Sequence, residues 1–239
     1  MPILEGEKVT KYFGGLAALV NVDFYVEQRE IVGLIGPNGA GKTTLFNLIS
    51  GALMPNSGVI RFRGREITGL RPHQICRQGI ARTFQSVKIF PNMSVLDNVR
   101  VGSFFGAAGE RSFQKAMERA KEALEFVGLA KLASAQAGEL TLANQKRLEV
   151  ARALATEPEV LLLDELMAGL NPTEVGETMR LVTTLRERGI TIFMIEHVMK
   201  AIMSICDRIL VLHHGEKVAE GTPQEIASNE KVIEIYLGE

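Results

Sequence analysis

One segment of the sequence has the residue types and spacing of a phosphate-binding loop. It matches the pattern G-x-x-x-x-G-K-[ST] and reads Gly36, Pro37, Asn38, Gly39, Ala40, Gly41, Lys42 and Thr43, followed by Thr44. Glycines let such a loop turn tightly enough for its backbone N–H groups to surround a phosphate chain, at a helix start whose dipole favours anions. The segment is therefore predicted to bind a nucleotide, with Lys42 on the β- and γ-phosphates and Thr43 as a Mg²⁺ ligand.

Two carboxylates follow an apolar run in the second half of the chain. Residues 160–163 read Val-Leu-Leu-Leu, and Asp164 and Glu165 come directly after them. In a chain that also contains a phosphate-binding loop, Asp164 is expected to hold Mg²⁺ through water, and Glu165 to orient and polarise an attacking water. Taken alone, the pair is better explained as a strand-end salt bridge or as helix-capping acids. The phosphate-binding loop favours the catalytic interpretation.

Gln85 and His197 stand in similar places. Gln85 follows the short stretch 80–84, and His197 follows the apolar run 190–195 and Glu196. Each alone is explained as a surface amide or a structural imidazole. Open parallel sheets, however, bind ligands at the carboxyl ends of their strands, where all of these residues are predicted to lie. We therefore expect one sheet edge with phosphoryl-transfer chemistry, water as the acceptor, and Glu165, His197 and Gln85 as its catalytic residues.

The elements that position these residues form a mixed α/β pattern. Val20, Val22, Phe24 and Val26 alternate with polar residues, as in an antiparallel strand with one wet face, and a second strand is predicted over residues 59–63. The unbroken apolar runs 31–35, 160–163 and 190–195 are typical of buried parallel strands. Residues 86–156 are predicted to form a mostly helical lobe between core segments 1–85 and 157–239, and Asn171 to cap a further helix.

Composition excludes several other classes of protein. The 27 basic and 28 acidic side chains leave a net charge of −1, which disfavours nucleic acid as a partner. No apolar run approaches the roughly 18 to 20 residues that cross a bilayer, and the amino terminus lacks the plan of a secretion signal. Cys76 and Cys206 have no further Cys near them, which indicates reduced thiols in a cytosolic protein.

In order and spacing, these motifs resemble the nucleotide-binding subunit of ABC transporters over nearly the whole chain. The matching features are Tyr12-Phe13-Gly14, the phosphate loop, Gln85, a signature segment at residues 140–144, residues 161–165 and His197. The resemblance implies a single ABC ATPase domain over residues 1–239: an α/β P-loop NTPase core with a mixed, partly parallel sheet, an N-terminal antiparallel β subdomain and an inserted helical lobe. It also implies ATP and Mg²⁺ as cofactors and Gln85 as a Mg²⁺ contact. Phe13, or less plausibly Tyr12, would stack on adenine, although core packing also explains an aromatic residue there.

Four shorter segments narrow the resemblance to importers of branched-chain amino acids. They are residues 81–85, 90–95, 168–172 and the ending Tyr236-Leu237-Gly238-Glu239. The implied partners are transmembrane permease subunits, a second ATP-binding subunit in a homo- or heterodimer and, indirectly, an external solute-binding protein, with this chain on the cytoplasmic face of the membrane. Val87, Ile89 and Phe90 either dock a permease helix or belong to the core of the lobe. The alternatives are a soluble ABC-type ATPase and a small-molecule kinase.

The signature segment departs from the family pattern Leu-Ser-Gly-Gly-Gln. It reads Leu140, Thr141, Leu142, Ala143 and Asn144. In the family this segment reaches the γ-phosphate of the ATP that the other protomer holds. Thr141 keeps a hydroxyl for that contact and can cap the following helix, whereas Leu142 and Ala143 carry side chains where glycine allows close approach. We therefore expect slow hydrolysis, or pairing with a subunit that has a regular signature. Leu166 also replaces a usual proline.

Overall fold

The computed structural model describes residues 1–106 and 112–237, with the backbone alone of Leu237. The predicted helical lobe includes residues 107–111, and the importer-like ending includes Gly238 and Glu239. These parts of the two predictions lie outside the described residues. By its internal contacts the chain forms two compact units, residues 1–72 with 182–239 and residues 73–181. The lobe boundaries predicted at 86 and 156 stay a prediction.

Strands and helices are interspersed along the chain, with a run of strands over residues 4–35 and a run of helices over residues 95–154. The strands are β1 (Leu4–Phe13), β2 (Leu16–Val26), β3 (Ile31–Ile35), β4 (Ser57–Phe62), β5 (Arg65–Glu66), β6 (Ile80–Arg82), β7 (Val160–Asp164), β8 (Thr191–Ile195), β9 (Arg208–His213) and β10 (Glu216–Gly221). The helices are α1 (Lys42–Ile49), α2 (Pro72–Gln78), α3 (Val95–Phe105), α4 (Phe113–Phe126), α5 (Leu142–Leu154), α6 (Pro172–Glu187), α7 (Met199–Ile205), α8 (Pro223–Ala227) and α9 (Glu230–Leu237). None of these helices is both long and apolar enough to span a bilayer.

The first unit contains an antiparallel sheet in the strand order β2-β1-β4-β5. Val22, Phe24 and Val26 of β2 are buried, and the residues between them are exposed, as the alternation predicts. Val20 is only half-buried, and Leu19 occupies the core instead. The cause is Asn21, whose positive φ of 46° accompanies a register shift that moves the alternation by one residue.

The second sheet of this unit is mostly parallel. Its strand β3 pairs with β8 on one side and β9 on the other, both parallel, and β10 returns antiparallel along β9. Every residue of β3 and β8 is buried, which confirms that these apolar runs are strands covered on both faces. Phe46 of α1 packs on Phe193 of β8 with ring centroids 5.2 Å apart. This contact packs α1 against β8, the strand next to β3 in the sheet.

The second unit combines a parallel strand pair with a group of helices. β6 pairs with β7 in the register Ile80↔Val160, Ala81↔Leu161 and Arg82↔Leu162. Polar side chains cap the helices at their N-termini: Ser94 caps α3, Ser112 caps α4 and Thr141 caps α5. Ala116, Ala120 and Leu124 form the buried face of α4.

Phe113 departs from the helical pattern of α4. It lies in the first turn and is 60% exposed. The guanidinium of Arg100 covers its ring at 4.6 Å from the centroid, which is the geometry of a cation–π contact. The apolar periodicity therefore identified the helix, but its first member is a surface residue.

Candidate functional site

The phosphate loop lies between β3 and α1, so it has the strand and the helix that its sequence pattern requires. Gly36 has a φ of +149° and Gly41 a φ of +103°, which L side chains rarely adopt. A Cβ atom would lie 2.1 Å from the carbonyl oxygen of Leu212 at the first position and 2.5 Å from that of Ala18 at the second. Only glycine fits at these two ends of the loop.

Lys42 places its ammonium against the backbone of this loop. The side chain is buried, and Nζ donates to the carbonyl oxygens of Gly36 at 2.6 Å and Pro37 at 2.9 Å. The turn between β9 and β10 braces the loop from outside, because Gly215 N–H donates to the carbonyl of Ala40 at 3.1 Å. The loop is thus a tightly packed backbone cradle with one cation held within it, which is a suitable site for an anion. Thr43 is exposed at the start of α1.

His197 and Phe13 are accessible in the same unit. Leu34 pairs with Ile195, so Gly36 and His197, each two residues further on, leave the sheet at the same edge. Phe13 is 46% exposed at the end of β1, with the ammonium of Lys11 5.4 Å from its ring centroid. This exposure contradicts the alternative in which Phe13 packs in the core. Its place at the adenine stays a prediction.

In the second unit, a buried ion pair holds Asp164 at the end of β7. Arg82 Nη2 lies 2.8 Å from Asp164 Oδ2, and the two side chains are almost completely buried. The Thr83 side chain also lies beside this strand end, with Oγ1 3.2 Å from the backbone N–H of Asp164, which donates to it. Neighbouring opposite charge compensates the burial of the carboxylate. Sequence reasoning missed Arg82, because a charged residue within the short strand β6 does not by itself indicate a buried partner.

Gln85 and Glu165 come together in this unit, as their places after β6 and β7 predict. Gln85 Nε2 lies 3.1 Å from both carboxylate oxygens of Glu165 and donates to them. Glu165 is half-buried, and its φ of +51° is in the left-handed region that a non-glycine residue rarely occupies. Backbone conformations of this kind persist only where the surrounding structure holds them, and they cluster at functional sites.

Thr141 begins the signature helix α5. Its backbone is extended, and its hydroxyl accepts from Asn144 N–H at 3.4 Å, which is a long N-cap contact. Leu142 is 43% exposed in the first turn, whereas Ala143 is nearly buried. Leu142, the larger of the two side chains that replace glycine in this segment, is therefore on the surface.

The segment 87–90 after Gln85 is held by side chains that the sequence reasoning did not identify. Lys88 N–H donates to Glu149 Oε1 at 2.6 Å, and the Arg152 guanidinium donates to the Lys88 carbonyl. Asn98 accepts from Phe90 N–H at 2.8 Å and donates to the Phe90 carbonyl at 3.0 Å. Burial raises the pKa of Glu149, and the hydrogen bond from Lys88 opposes that shift.

The side chains of this held segment face two environments. Phe90 is exposed, with the guanidinium of Arg152 5.6 Å from its ring centroid, while Val87 and Ile89 are half-buried. The exposure of Phe90 rules out the interpretation of this residue as lobe core. Docking of a permease helix here stays a prediction.

Comparisons with known proteins identify the family to which these features belong. The model of the ABC transporter family matches residues 19–168, which include the phosphate loop, Gln85, the signature segment, Asp164 and Glu165. The chain belongs to the ABC transporter family. A second model, of the branched-chain amino acid ATP-binding cassette transporter, matches residues 216–239 of this ABC cassette. The resemblance stated from the motifs is therefore confirmed.

Relatives and solved structures of ABC cassettes cover the whole chain. The chain is 45% identical to the high-affinity branched-chain amino acid transport ATP-binding protein BraF of Pseudomonas aeruginosa, covering 100% of this chain and 98% of that protein. An ABC transporter cassette solved in its ADP conformation superposes with a TM-score of 0.90 at 35% identity, with 100% of both chains covered. A dimeric cassette bound to ADP and Pi superposes with a TM-score of 0.83 at 28% identity, covering 92% of this chain and 98% of that chain. The predicted fold class and ATPase activity are confirmed, and the family is one that binds nucleotide.

Proposed function

We propose that this ABC ATPase is the ATP-hydrolysing subunit of an importer for branched-chain amino acids. The observation that carries the ATPase part is the phosphate loop, with its two glycines that admit no side chain and the buried ammonium of Lys42. The 45% identity to BraF and the match of residues 216–239 support branched-chain amino acids as the transported solutes. In this proposal Gly36, Pro37, Asn38, Gly39, Ala40, Gly41, Lys42, Thr43 and Thr44 bind the phosphates, and Phe13 stacks on adenine.

The proposed metal is Mg²⁺. Its ligands would be the hydroxyl of Thr43, the amide oxygen of Gln85 and the carboxylate of Asp164, the last through water. These are hard oxygen donors, which Mg²⁺ prefers. When bound, the ion neutralises phosphate charge and orients the phosphate oxygens for in-line attack. Arg82 supports the proposed metal-binding role of Asp164, since its Nη2 atom lies 2.8 Å from Asp164 Oδ2 and holds the carboxylate in place.

The proposed hydrolytic roles follow from the residues at the strand ends. Glu165 orients the attacking water and accepts its proton, and Gln85 holds the Glu165 carboxylate in place through its amide. His197 polarises the γ-phosphate region through its imidazole. Thr141 contacts the γ-phosphate of the ATP that a second subunit holds, as the resemblance implies for a signature segment.

The proposed partners are those of an import system. Transmembrane permease subunits would dock against the segment 87–90, which Asn98 and Glu149 hold in place. A second ATP-binding subunit would complete a dimer, a form that a solved relative adopts with ADP and Pi. A solute-binding protein outside the membrane would act indirectly, and this chain would lie on the cytoplasmic face. Nucleic acid is not a proposed partner, given the net charge of −1.

Uptake by cells that lack this chain tests the function. We expect deletion of the gene to lower the initial uptake rate of labelled leucine, isoleucine and valine, and the wild-type chain to restore it. The Glu165→Gln chain, expressed to the same level, should fail to restore it. Uptake of labelled glucose in the same cells is the control. Unchanged uptake of branched-chain amino acids, in a strain without a second such importer, would contradict the proposal that they are the transported solutes.

A second prediction concerns the unusual signature segment. Replacing Leu142 and Ala143 by glycine should raise the ATPase rate of the isolated chain by about tenfold or more, because the first N–H groups of α5 can then approach a γ-phosphate closely, and a single such donor is typically worth 10²–10³ in rate. Phosphate released from ATP is the measurement.

The matched control for this variant is a double glycine substitution at Lys121 and Glu122. Both residues are exposed in the interior of α4, so the control places two glycines in a helix away from the signature segment, where each costs about 1 kcal/mol. The control should leave the rate unchanged. An equal rate in the wild-type and the Leu142→Gly/Ala143→Gly chains would show that the two side chains do not limit hydrolysis.

A further inference from the structure

Lys146 is a buried cation in the second unit that none of the roles above uses. It lies one turn inside α5 and is only 6% exposed. Its ammonium donates to the backbone carbonyl of Glu165 at 2.8 Å and to that of Ala168 at 2.7 Å. We propose that Lys146 is a positioning residue for hydrolysis, which holds the proposed general base Glu165 in its active orientation through the backbone.

The two carbonyls belong to opposite ends of one tight turn. Ala168 N–H donates to the Glu165 carbonyl at 3.2 Å and closes the turn 165–168. Leu166 and Met167, the two central residues, are buried and anchor the turn by apolar packing. Lys146 thus bridges the first and last residues of a turn whose middle is fixed in the core. The buried Leu166 also gives a role to a residue whose departure from the usual proline the sequence alone did not explain.

Glu165 needs this support because of its own backbone. Its φ of +51° is a left-handed conformation that costs a non-glycine residue about 1 to 3 kcal/mol unless the surroundings hold it. The Lys146 ammonium fixes the peptide plane that follows the Glu165 Cα atom. Because this plane and φ together set the direction of the Cα–Cβ bond, the lysine sets where the carboxylate points, while Gln85 contacts the carboxylate itself.

A second contact joins the same helix to the same segment. A Cβ atom on Gly169 would lie 3.1 Å from Leu142 Cδ2, so the first turn of α5 packs close against the residue that follows the turn. Lys146 and Leu142 therefore both hold the signature helix against the segment that begins at Glu165. A displacement of α5 would be transmitted to Glu165 through the two hydrogen bonds of the ammonium.

The inference rests on the proposed role of Glu165, and the kinetics of the full chain test it. Lys146→Met keeps the length and apolar volume of the side chain but removes the donor. We expect kcat for ATP hydrolysis to fall by about ten- to a hundredfold with KM for ATP within about twofold, since a misplacement near 1 Å has an effect of that size. Lys146→Arg, which restores two donors, should recover most of the rate, and Lys146→Gln should give an intermediate rate.

A double variant separates positioning from a general structural role. In the Glu165→Gln background, Lys146→Met should lower the residual release of labelled phosphate by less than about twofold, because a residue that acts through Glu165 has nothing left to position. Lys121→Met, a change at an exposed lysine of α4, is the control and should leave kcat unchanged. Thermal unfolding of each chain confirms that it is folded. If Lys146→Met does not fold, the Gln and Arg variants are compared in the same two backgrounds.

Three results would overturn the inference. One is an unchanged kcat in the folded Met or Gln variant, another is a raised KM with unchanged kcat, and the third is the same fold-loss in the wild-type and Glu165→Gln backgrounds. Failure of the proposed function is a different result, because the Glu165→Gln chain alone would then hydrolyse ATP at the wild-type rate.

Discussion

Replacing Glu165 by glutamine should lower the ATP turnover of this ABC ATPase by about 10²–10⁴-fold, the range that a positioned general base contributes. The substitution keeps the shape of the side chain and an oxygen that can accept from Gln85 Nε2, which lies 3.1 Å from the carboxylate. It removes the group that can take a proton from water at neutral pH. Binding of ATP should be retained, because the proposed phosphate contacts come from the loop at residues 36–44.

Two measurements on the same preparation check this expectation. Phosphate release gives kcat, and calorimetric titration with ATP gives the dissociation constant, which should change by less than about threefold, or about 0.65 kcal/mol. Glu125→Gln, at an exposed position on α4, is the control for removing one carboxylate from the second unit. Wild-type turnover in the Glu165→Gln chain would remove Glu165 from its role. A loss of ATP binding together with turnover would assign the residue to binding instead.

The parts of the fold that the sequence predicted are those specified by local patterns. An apolar strand, a glycine-rich turn and a helix start follow one another at β3, residues 36–41 and α1, and each is fixed by residues next to it in the chain. The same holds for Gln85 and Glu165. Each follows a strand of one parallel pair, so their meeting follows from topology without knowledge of side-chain packing.

The parts that the sequence did not predict depend on contacts between distant residues. Arg82 meets Asp164 across 82 positions, and Lys146 meets the Glu165 carbonyl across 19. A charged residue in a short strand or on a helix has no sequence signal that distinguishes a buried partner from a solvated surface position. The register shift at Asn21, which exchanges Val20 for Leu19 in the core, is another such feature, because a bulge is decided by the pairing of two strands.

The helix α5 connects several of these unpredicted contacts. Its N-cap is Thr141 of the signature segment, Lys146 binds the turn at Glu165, and Glu149 and Arg152 bind the backbone of Lys88. All of these partners lie in the second unit. Through these hydrogen bonds, α5 contacts both the segment proposed to bind the permease and the turn that carries the proposed general base.

Replacing Lys42 by methionine should weaken ATP binding by about ten- to a hundredfold, because a hydrogen bond that involves a charged group contributes about 1.5 to 3 kcal/mol. The contacts of Lys42 explain why the ammonium is fixed in the loop. The Lys42 ammonium is buried in the loop and donates to the carbonyls of Gly36 and Pro37, so its position is set by the same backbone that is proposed to receive the phosphates. Methionine fills the space but presents an apolar thioether to two carbonyls and to a polyanion.

Calorimetric titration of the folded Lys42→Met chain with ATP and with ADP tests this expectation and also reports which phosphate the lysine serves. A contact mainly with the γ-phosphate requires a larger loss for ATP than for ADP, whereas equal losses place the ammonium on the β-phosphate. Lys231→Met, at an exposed residue of α9 in the same unit, controls for the change in net charge, which screening makes negligible at a distance. Wild-type affinity for both nucleotides in the Lys42→Met chain would contradict the phosphate-binding role of the loop, because a buried cation cannot be removed from a polyanion site without a change in its electrostatic energy.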